Sequence, residues 1–199
     1  GGAVRGRYSV IGLNPDLIWL CRGPQAEINR TALADINAFV QCQEQPLVSL
    51  GDLLRESRIE IPTPLPPMAC GLFGYMGYDT VRLMERLPNA NPDVLGIPDS
   101  IFMRPTVVAV FDNVDDIVTI ITPVWPSPDI PAKSAYKTAS DRLADIVSDL
   151  ERPLPHKRGQ HSDQRDLPEP ESNVTQKAYR SMVETAKKYI RAGDIFQVV

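Results

Sequence analysis

The chain has 199 residues, of which 43% are hydrophobic and 23% charged, and its formal net charge is −4. This length and apolar content support one sizeable core or two small ones, and the acidic balance argues against a general nucleic-acid partner. No apolar run reaches the roughly 18 residues that a membrane span needs, and the three cysteines are spaced too widely for a zinc knuckle or a disulfide framework. We therefore expect a cytoplasmic protein with neither a nucleic-acid nor a membrane partner.

The first 60 residues predict two strands followed by two helices. Residues 7–12 and 17–21 are predicted as two strands, with Asn14-Pro15-Asp16 as the turn between them. Apolar residues recur at helical spacing over 32–40, and Leu50, Leu53 and Leu54 indicate a second short helix.

The middle of the chain predicts further strands. Residues 69–76 form an apolar run in which repeated glycines indicate close approach of a neighbouring backbone. Asp79 is the predicted cap of a short helix. The β-branched runs 106–111 and 117–122 flank a polar loop, which is typical of a hairpin.

A boundary is predicted after residue 150. An amphipathic helix ends there, and residues 151–172 are so rich in proline and charge that they are interpreted as a linker. Thr175 and Gly193 then delimit a second helix, which a strand follows from residue 195. The predicted domains are 1–150 and 173–199. Because the order shows no alternation of strand and helix, we favour an α+β fold over a doubly wound one.

Two patterns that invite a functional reading are better explained without one. Gly71, Gly74 and Gly77 have the wrong spacing and context for a dinucleotide-binding loop. His156 and His161 lie in the predicted linker, where nothing fixes the geometry that a metal or a catalytic triad requires. No metal site is predicted within the chain.

Two other segments contain candidate site residues. Arg7, Tyr8 and Ser9 place a guanidinium, a phenol and a hydroxyl together, and strand alternation puts Arg7 and Ser9 on one face, where they could recognise a small carboxylate. The chain also carries Gln197, a polar residue inside an apolar run, and a buried amide needs hydrogen-bonding partners or a ligand.

Several segments together resemble the anthranilate synthase component I family of chorismate-utilising enzymes. The resemblance is carried by GRYSVIGLNPD, CGLFGYMGYDTVRLMERLP, IPDSIF, VFDN and AYRSMVETAKKYIRAGDIFQVV, in this order along the chain. It implies a fold of two mostly antiparallel β-sheets packed face to face with outer helices. It also implies that this chain is an N-terminal fragment holding only the start of the chorismate-binding domain. The chain begins at Gly1 without a methionine and ends in a predicted strand, so we expect residues to be missing on both sides.

The resemblance also implies a reaction. Family members add ammonia to chorismate and eliminate pyruvate to give anthranilate in L-tryptophan biosynthesis. They use Mg²⁺ held by carboxylates and receive ammonia from a glutamine amidotransferase subunit. The ligands of Mg²⁺ and most chorismate contacts are expected beyond Val199, so this fragment alone is expected to be inactive.

Relatives that add water to chorismate carry a lysine at the position of Gln197. Water needs a base to remove its proton, whereas neutral ammonia is already nucleophilic and needs only to be oriented. Gln197 therefore favours an amine-adding enzyme. Aminodeoxychorismate synthase component I, a folate-pathway relative, also has glutamine there and remains an alternative, although Ile195 to Val199 are more similar to anthranilate synthase.

The family is feedback-inhibited by tryptophan at a site between the two domains. The signature leucine-leucine-glutamate-serine stretch of that site would precede Gly1, and the GRYS strand borders it. The resemblance thus implies that Arg7, Tyr8 and Ser9 contact tryptophan. A second alternative is that the chain is a non-catalytic module that binds tryptophan or the amidotransferase.

Overall fold

The computed structural model describes residues 6–88, 92–153 and 169–198. The chain divides into two compact units, Gly1–Pro153 and Leu154–Val199. The first unit is a β-sheet with two α-helices and a short 3₁₀ helix. The described part of the second unit contains one helix, α3 (Gln176–Ala192). None of the helices in the described ranges is both long and apolar enough to cross a bilayer.

Six strands form one antiparallel sheet in the first unit. Its order is β3-β2-β1-β5-β4, and β6 pairs with the other end of β5. The strands are β1 (Tyr8–Arg22), β2 (Gln25–Asn29), β3 (Val40–Gln41), β4 (Phe73–Met76), β5 (Ser100–Asp112) and β6 (Ile117–Ile121). The helices are α1 (Pro46–Glu56), a 3₁₀ helix (Tyr78–Leu83) and α2 (Ala132–Glu151). The antiparallel sheet and its helices confirm the predicted α+β class.

The core lies between the second half of β1 and α1. Leu17, Trp19 and Cys21 alternate along β1, are at most 1% exposed, and pack with Leu50 and Leu53 of α1. Because side chains alternate across a strand, these three residues share one face of the sheet. Burying a side chain of the size of leucine stabilises a fold by about 1.5–3 kcal/mol, so this cluster fixes α1 on the sheet.

Three predicted elements are wrong: the turn at residues 14–16, the helix over residues 32–40 and the final strand. The predicted turn at residues 14–16 lies within one continuous strand, β1, because the whole segment pairs with β5. Asn14 adopts a positive φ of 50°, and the register shifts between Pro15 and Leu17. Pro15 and Pro105 are register partners, so neither residue at that position has an N–H to donate. The turn residues thus produce an irregularity in the strand, not a reversal.

The predicted helix over residues 32–40 is also wrong. The fully buried side chain of Asn29 accepts a hydrogen bond from the backbone N–H of Thr31 at 2.9 Å and donates one to the carbonyl of Asp35 at 2.8 Å. Such side-chain bonds compete with helical ones and hold the segment in turns. Strands β2 and β3, on either side of these turns, were missed.

The remaining predicted elements are confirmed in outline. Helices α1 and α2 and the hairpin of β5 and β6 form as expected. The predicted short helix is the 3₁₀ helix Tyr78–Leu83, but the predicted cap is wrong, because Gly77 is its N-cap and Asp79 lies within its first turn. Helix α3 begins after Thr175, whose hydroxyl accepts from the N–H of Ala178, and ends at Gly193 with φ 82°. The predicted final strand is wrong for residues 195–198, which are not in a strand. Residues 154–168 of the predicted linker lie outside the described part.

Candidate functional sites

Arg7 is held by two carboxylates at the end of the sheet. Its Nε donates to Asp112 Oδ1 at 2.9 Å, and its Nη2 donates to Asp112 Oδ2 and to Asp115 Oδ2, both at 2.6 Å. Asp112 is the register partner of Tyr8 across β1 and β5, so the strand pairing brings these groups together. The arginine therefore joins the start of β1 to the loop between β5 and β6.

These contacts change the acidity of Asp112. Its carboxylate accepts hydrogen bonds from Arg7 and from the backbone N–H of Val114, and both favour the charged form. The hydrogen bond from Arg7 is the larger cause, and the pKa of Asp112 falls from 3.8 to about 2. The site is thus a permanently charged pair over the physiological pH range.

The three predicted tryptophan contacts are only partly brought together. The Cζ of Arg7 lies 5.1 Å from the ring centroid of Tyr8, within the range of a cation–π contact. The alternation of side chains along a strand predicts that Arg7 and Ser9 share a face. The stacking of the Arg7 guanidinium on the Tyr8 ring was therefore missed. Ser9 is exposed on the sheet. The Nε edge of Arg7 is occupied by Asp112, which leaves fewer donors for a ligand carboxylate.

Gln197 is exposed and follows the end of α3 in the second unit. The neighbouring Phe196 is 93% exposed. The strand alternation that was expected to separate the two faces of this segment is therefore not formed, and the proposed role of Gln197 stays a prediction.

A second charged centre, around Arg104, was not predicted from the sequence. The Arg104 side chain is only 11% exposed, and its Nε and Nη2 each donate to Asp16 at 2.8 Å. Its Cζ lies 4.4 Å from the ring centroid of Trp125, which anchors the proline-rich segment after β6. Asp16 had been interpreted as a turn residue. Only the pairing of β1 with β5 places it beside an arginine 88 positions away.

Glu56, at the end of α1, extends this centre. It pairs with Arg30 at 2.6 Å and lies 3.8 Å from Arg104. The hydrogen bond from Arg30 is the main reason that the pKa of Glu56 is lowered. The network thus connects α1, β1, β5 and Arg30, the residue that follows β2.

Two cavities flank the sheet. One, of about 560 Å³, lies between the 3₁₀ helix and the segment 92–99. The other, of about 420 Å³, lies beside Arg104 and is also lined by Trp125 and Arg142. Among the residues that the structure describes, no group of three His, Cys, Asp or Glu side chains could hold a metal ion. His156 and His161 lie outside that part.

Comparisons with known proteins give the fold and the family. A crystal structure of anthranilate synthase component I from Streptococcus pneumoniae TIGR4 matches 97% of this chain and 40% of its own, with a TM-score of 0.65 and 20% identity. At this identity the match shows the fold alone, and it confirms the expected class: an antiparallel α+β protein of the anthranilate synthase type.

Sequence comparison goes further. The family described as chorismate binding enzyme matches residues 7–199. Anthranilate synthase component 1 of Cereibacter sphaeroides is 51% identical over 199 residues, which are all of this chain and 40% of the relative. The Thermus thermophilus protein of the same name is 39% identical over 135 residues, 68% of this chain and 27% of the relative.

This chain belongs to the chorismate-binding enzyme family, as the resemblance predicted. It spans about 40% of the length of the first of these relatives.

Proposed function

We propose that the chain is part of an anthranilate synthase component I, which converts chorismate and ammonia into anthranilate and pyruvate in tryptophan biosynthesis in the cytoplasm. The supporting observation is 51% identity, over every residue of the chain, to a relative that bears this name. In the proposed reaction ammonia adds to the ring of chorismate beside the carboxylate-bearing carbon while the ring hydroxyl leaves from a different carbon as water. Pyruvate is then eliminated, so the full-length enzyme is an oxo-acid lyase.

In this proposal Gln197 orients the nucleophile. The amide oxygen accepts a hydrogen bond from neutral ammonia, and the amide N–H₂ donates to a neighbouring acceptor. Ammonia needs no base because its lone pair is already available. A lysine here would serve a different purpose, the removal of a proton from water. The uncharged side chain therefore selects nitrogen over oxygen as the attacking atom.

The proposal also includes Mg²⁺ and a glutamine amidotransferase subunit that supplies ammonia. Carboxylates are the ligands that Mg²⁺ prefers. The proposal keeps the Mg²⁺ ligands where the resemblance places them, in the part of the full-length protein outside this chain.

Tryptophan inhibition is proposed to act at Arg7, Tyr8 and Ser9. The Ser9 hydroxyl is exposed and available to a ligand. Arg7 is already paired with Asp112, so the pair is proposed to shape the site. The Nη1 nitrogen of Arg7, which makes no hydrogen bond to the described residues, is proposed to bind the ligand carboxylate. The Tyr8 ring supplies an apolar face.

Product analysis of the full-length protein tests the reaction. With chorismate, ammonia and Mg²⁺, we expect fluorescent anthranilate and stoichiometric pyruvate. Accumulation of the 4-amino intermediate without pyruvate would instead identify an aminodeoxychorismate synthase. A hydroxylated isomer of chorismate would show that water is the nucleophile and would end the proposal.

Replacing Gln197 in the full-length enzyme tests its role. We expect Gln197→Lys to lower the ammonia-dependent rate by roughly 10²-fold or more, because the cationic side chain cannot accept a hydrogen bond from ammonia. The measurement is anthranilate formation at saturating ammonia. Gln197→Glu, which keeps an oxygen that can accept a hydrogen bond from ammonia, is the matched control for Gln197→Lys. An unchanged rate in Gln197→Lys would make Gln197 structural.

A further inference from the structure

The cavity beside Arg104 is bounded by the first half of α2, the proline-rich segment after β6 and the sheet. Its volume of about 420 Å³ lies within the range of small-molecule sites. Large apolar side chains on its lining remain 41–57% exposed; they are Leu33, Val124 and Ile130. Its size and its partly apolar lining suit a small organic molecule.

Arg142 of α2 brings a positive charge to this cavity. Its Nη1 donates to the Thr122 hydroxyl at 2.9 Å and to the Thr106 carbonyl oxygen at 3.4 Å, and both acceptors are neutral. Its Nε and Nη2, which form the side edge of the guanidinium, make no hydrogen bond within the described ranges. The side chain is therefore anchored by one nitrogen while the other two donors remain available.

The same edge binds a carboxylate twice elsewhere in the unit. Arg7 holds Asp112 through Nε and Nη2, and Arg104 holds Asp16 through Nε and Nη2. This side-on fork is a preferred geometry for an arginine and a carboxylate. Arg142 offers the same fork, and none of the described carboxylates occupies it.

The other charged groups of the cavity are already matched. Asp16 pairs with Arg104, and Glu56 pairs with Arg30. Arg142 is therefore the charge on the lining that lacks a counter-ion among the described residues. A ligand with one carboxylate would supply the counter-ion of Arg142, whereas a second carboxylate would be repelled by the negative charges of Asp16 and Glu56.

We propose that this cavity binds a small organic monocarboxylate with an apolar body. The carboxylate lies on the Nε and Nη2 edge of Arg142, and the body packs against Trp125, Val124 and Ile130. The site is separate from the proposed tryptophan contacts, since Asp16 and Ser9 are seven residues apart on β1, roughly 20 Å along a strand.

Isothermal titration calorimetry of the full-length protein with 3-phenylpropionate tests the site. We expect saturable binding, and at least about tenfold weaker binding of the neutral 3-phenylpropionamide and of 3-phenylpropionate to Arg142→Gln. Arg152→Gln, at the end of the same helix on an exposed side chain paired with Asp149, is the matched control and should bind as the wild type does.

Arg142→Lys keeps the charge and the apolar stem but removes the fork, so we expect it to bind 3-phenylpropionate several-fold more weakly than the wild type. This second variant still tests the proposal if Arg142→Gln does not fold. If either folded Arg142 variant bound 3-phenylpropionate with wild-type affinity, the probe would be binding at another site, such as the chorismate site. That result would overturn the proposal. Absence of binding to the wild type at 3-phenylpropionate concentrations up to about 10 mM, beyond the usual range of specific ligands, would do the same.

Discussion

The pair of Arg7 and Asp112 joins residues 105 positions apart and predicts how stability depends on pH. The pKa of Asp112 is about 2 in the folded protein and 3.8 in its ordinary state. A carboxyl group with a lowered pKa stabilises the fold above the unfolded pKa and loses that contribution as pH falls through the folded one. We expect the pair to contribute fully above about pH 5 and progressively less between pH 4 and pH 2.

Comparison of Asp112→Asn with the wild type checks this. The asparagine retains an oxygen that can accept the Val114 N–H at 3.0 Å, so the loop is preserved while the charge is removed. The difference in unfolding midpoint should be constant near neutral pH and shrink below pH 4. A difference that persists unchanged at pH 2 would show that the charge of Asp112 is not responsible.

At the same scale, the charged centres show what a sequence can and cannot reveal. Arg7 was identified because it lies beside Tyr8 and Ser9 in a recognisable segment. Arg104 was not, because its partners Asp16 and Trp125 are distant in the chain and only the register of the sheet brings them together. Side-chain chemistry is local, whereas the pairing of charges is a property of the fold.

Strand β4 depends on a glycine at the point where it meets β5. A Cβ on Gly74 would overlap the carbonyl oxygen of Ile101 and lie 2.8 Å from the Cα of Phe102. Both obstacles are backbone atoms, which cannot rotate away. We therefore expect Gly74→Ala to destabilise the protein by about 1–3 kcal/mol, the usual cost of overpacking. The measurement is the midpoint of urea unfolding.

Gly51 provides the matched control for this substitution. It lies inside α1, and an added Cβ would meet nothing closer than the Arg55 Nη1 at 3.9 Å. Alanine is the better helix former by roughly 0.5–1 kcal/mol, so Gly51→Ala should leave the protein as stable or slightly more stable. If both variants behaved alike, the close approach of β4 to β5 would not be what Gly74 accommodates.

The elements that were predicted correctly are those with local signals. Thr175 and Gly193 delimit α3 because a hydroxyl cap and a left-handed glycine act within one helical turn. The turn predicted at Asn14 failed because cross-strand pairing with β5 outweighed the local preference of asparagine and proline. The helix predicted after residue 31 failed because Asn29, outside the apolar pattern, supplied competing hydrogen bonds.

At the scale of the whole molecule, the second unit lacks a core of its own among the described residues. Helix α3 has a clear apolar face, yet none of its residues is buried, and Tyr179, Met182 and Ile190 are 46–61% exposed. An amphipathic helix is stabilised mainly by the surface that its apolar face packs on. We expect other parts of the full-length protein to provide that surface, because the relatives are much longer than this chain.

Because α3 is expected to pack on other parts of the full-length protein, the 199-residue chain and the full-length enzyme should behave differently. With chorismate, ammonia and Mg²⁺, the purified chain should form no anthranilate, because catalysis requires groups held in a fixed geometry and Gln197 is exposed beside an unpacked helix.

Calorimetry with tryptophan should likewise give weak or no binding to the chain, since Arg7, Tyr8 and Ser9 are proposed as only part of the pocket. The full-length enzyme, assayed in parallel, should form anthranilate and be inhibited. Measurable anthranilate from the chain alone, or micromolar binding of tryptophan to it, would show that the chain already contains a complete site.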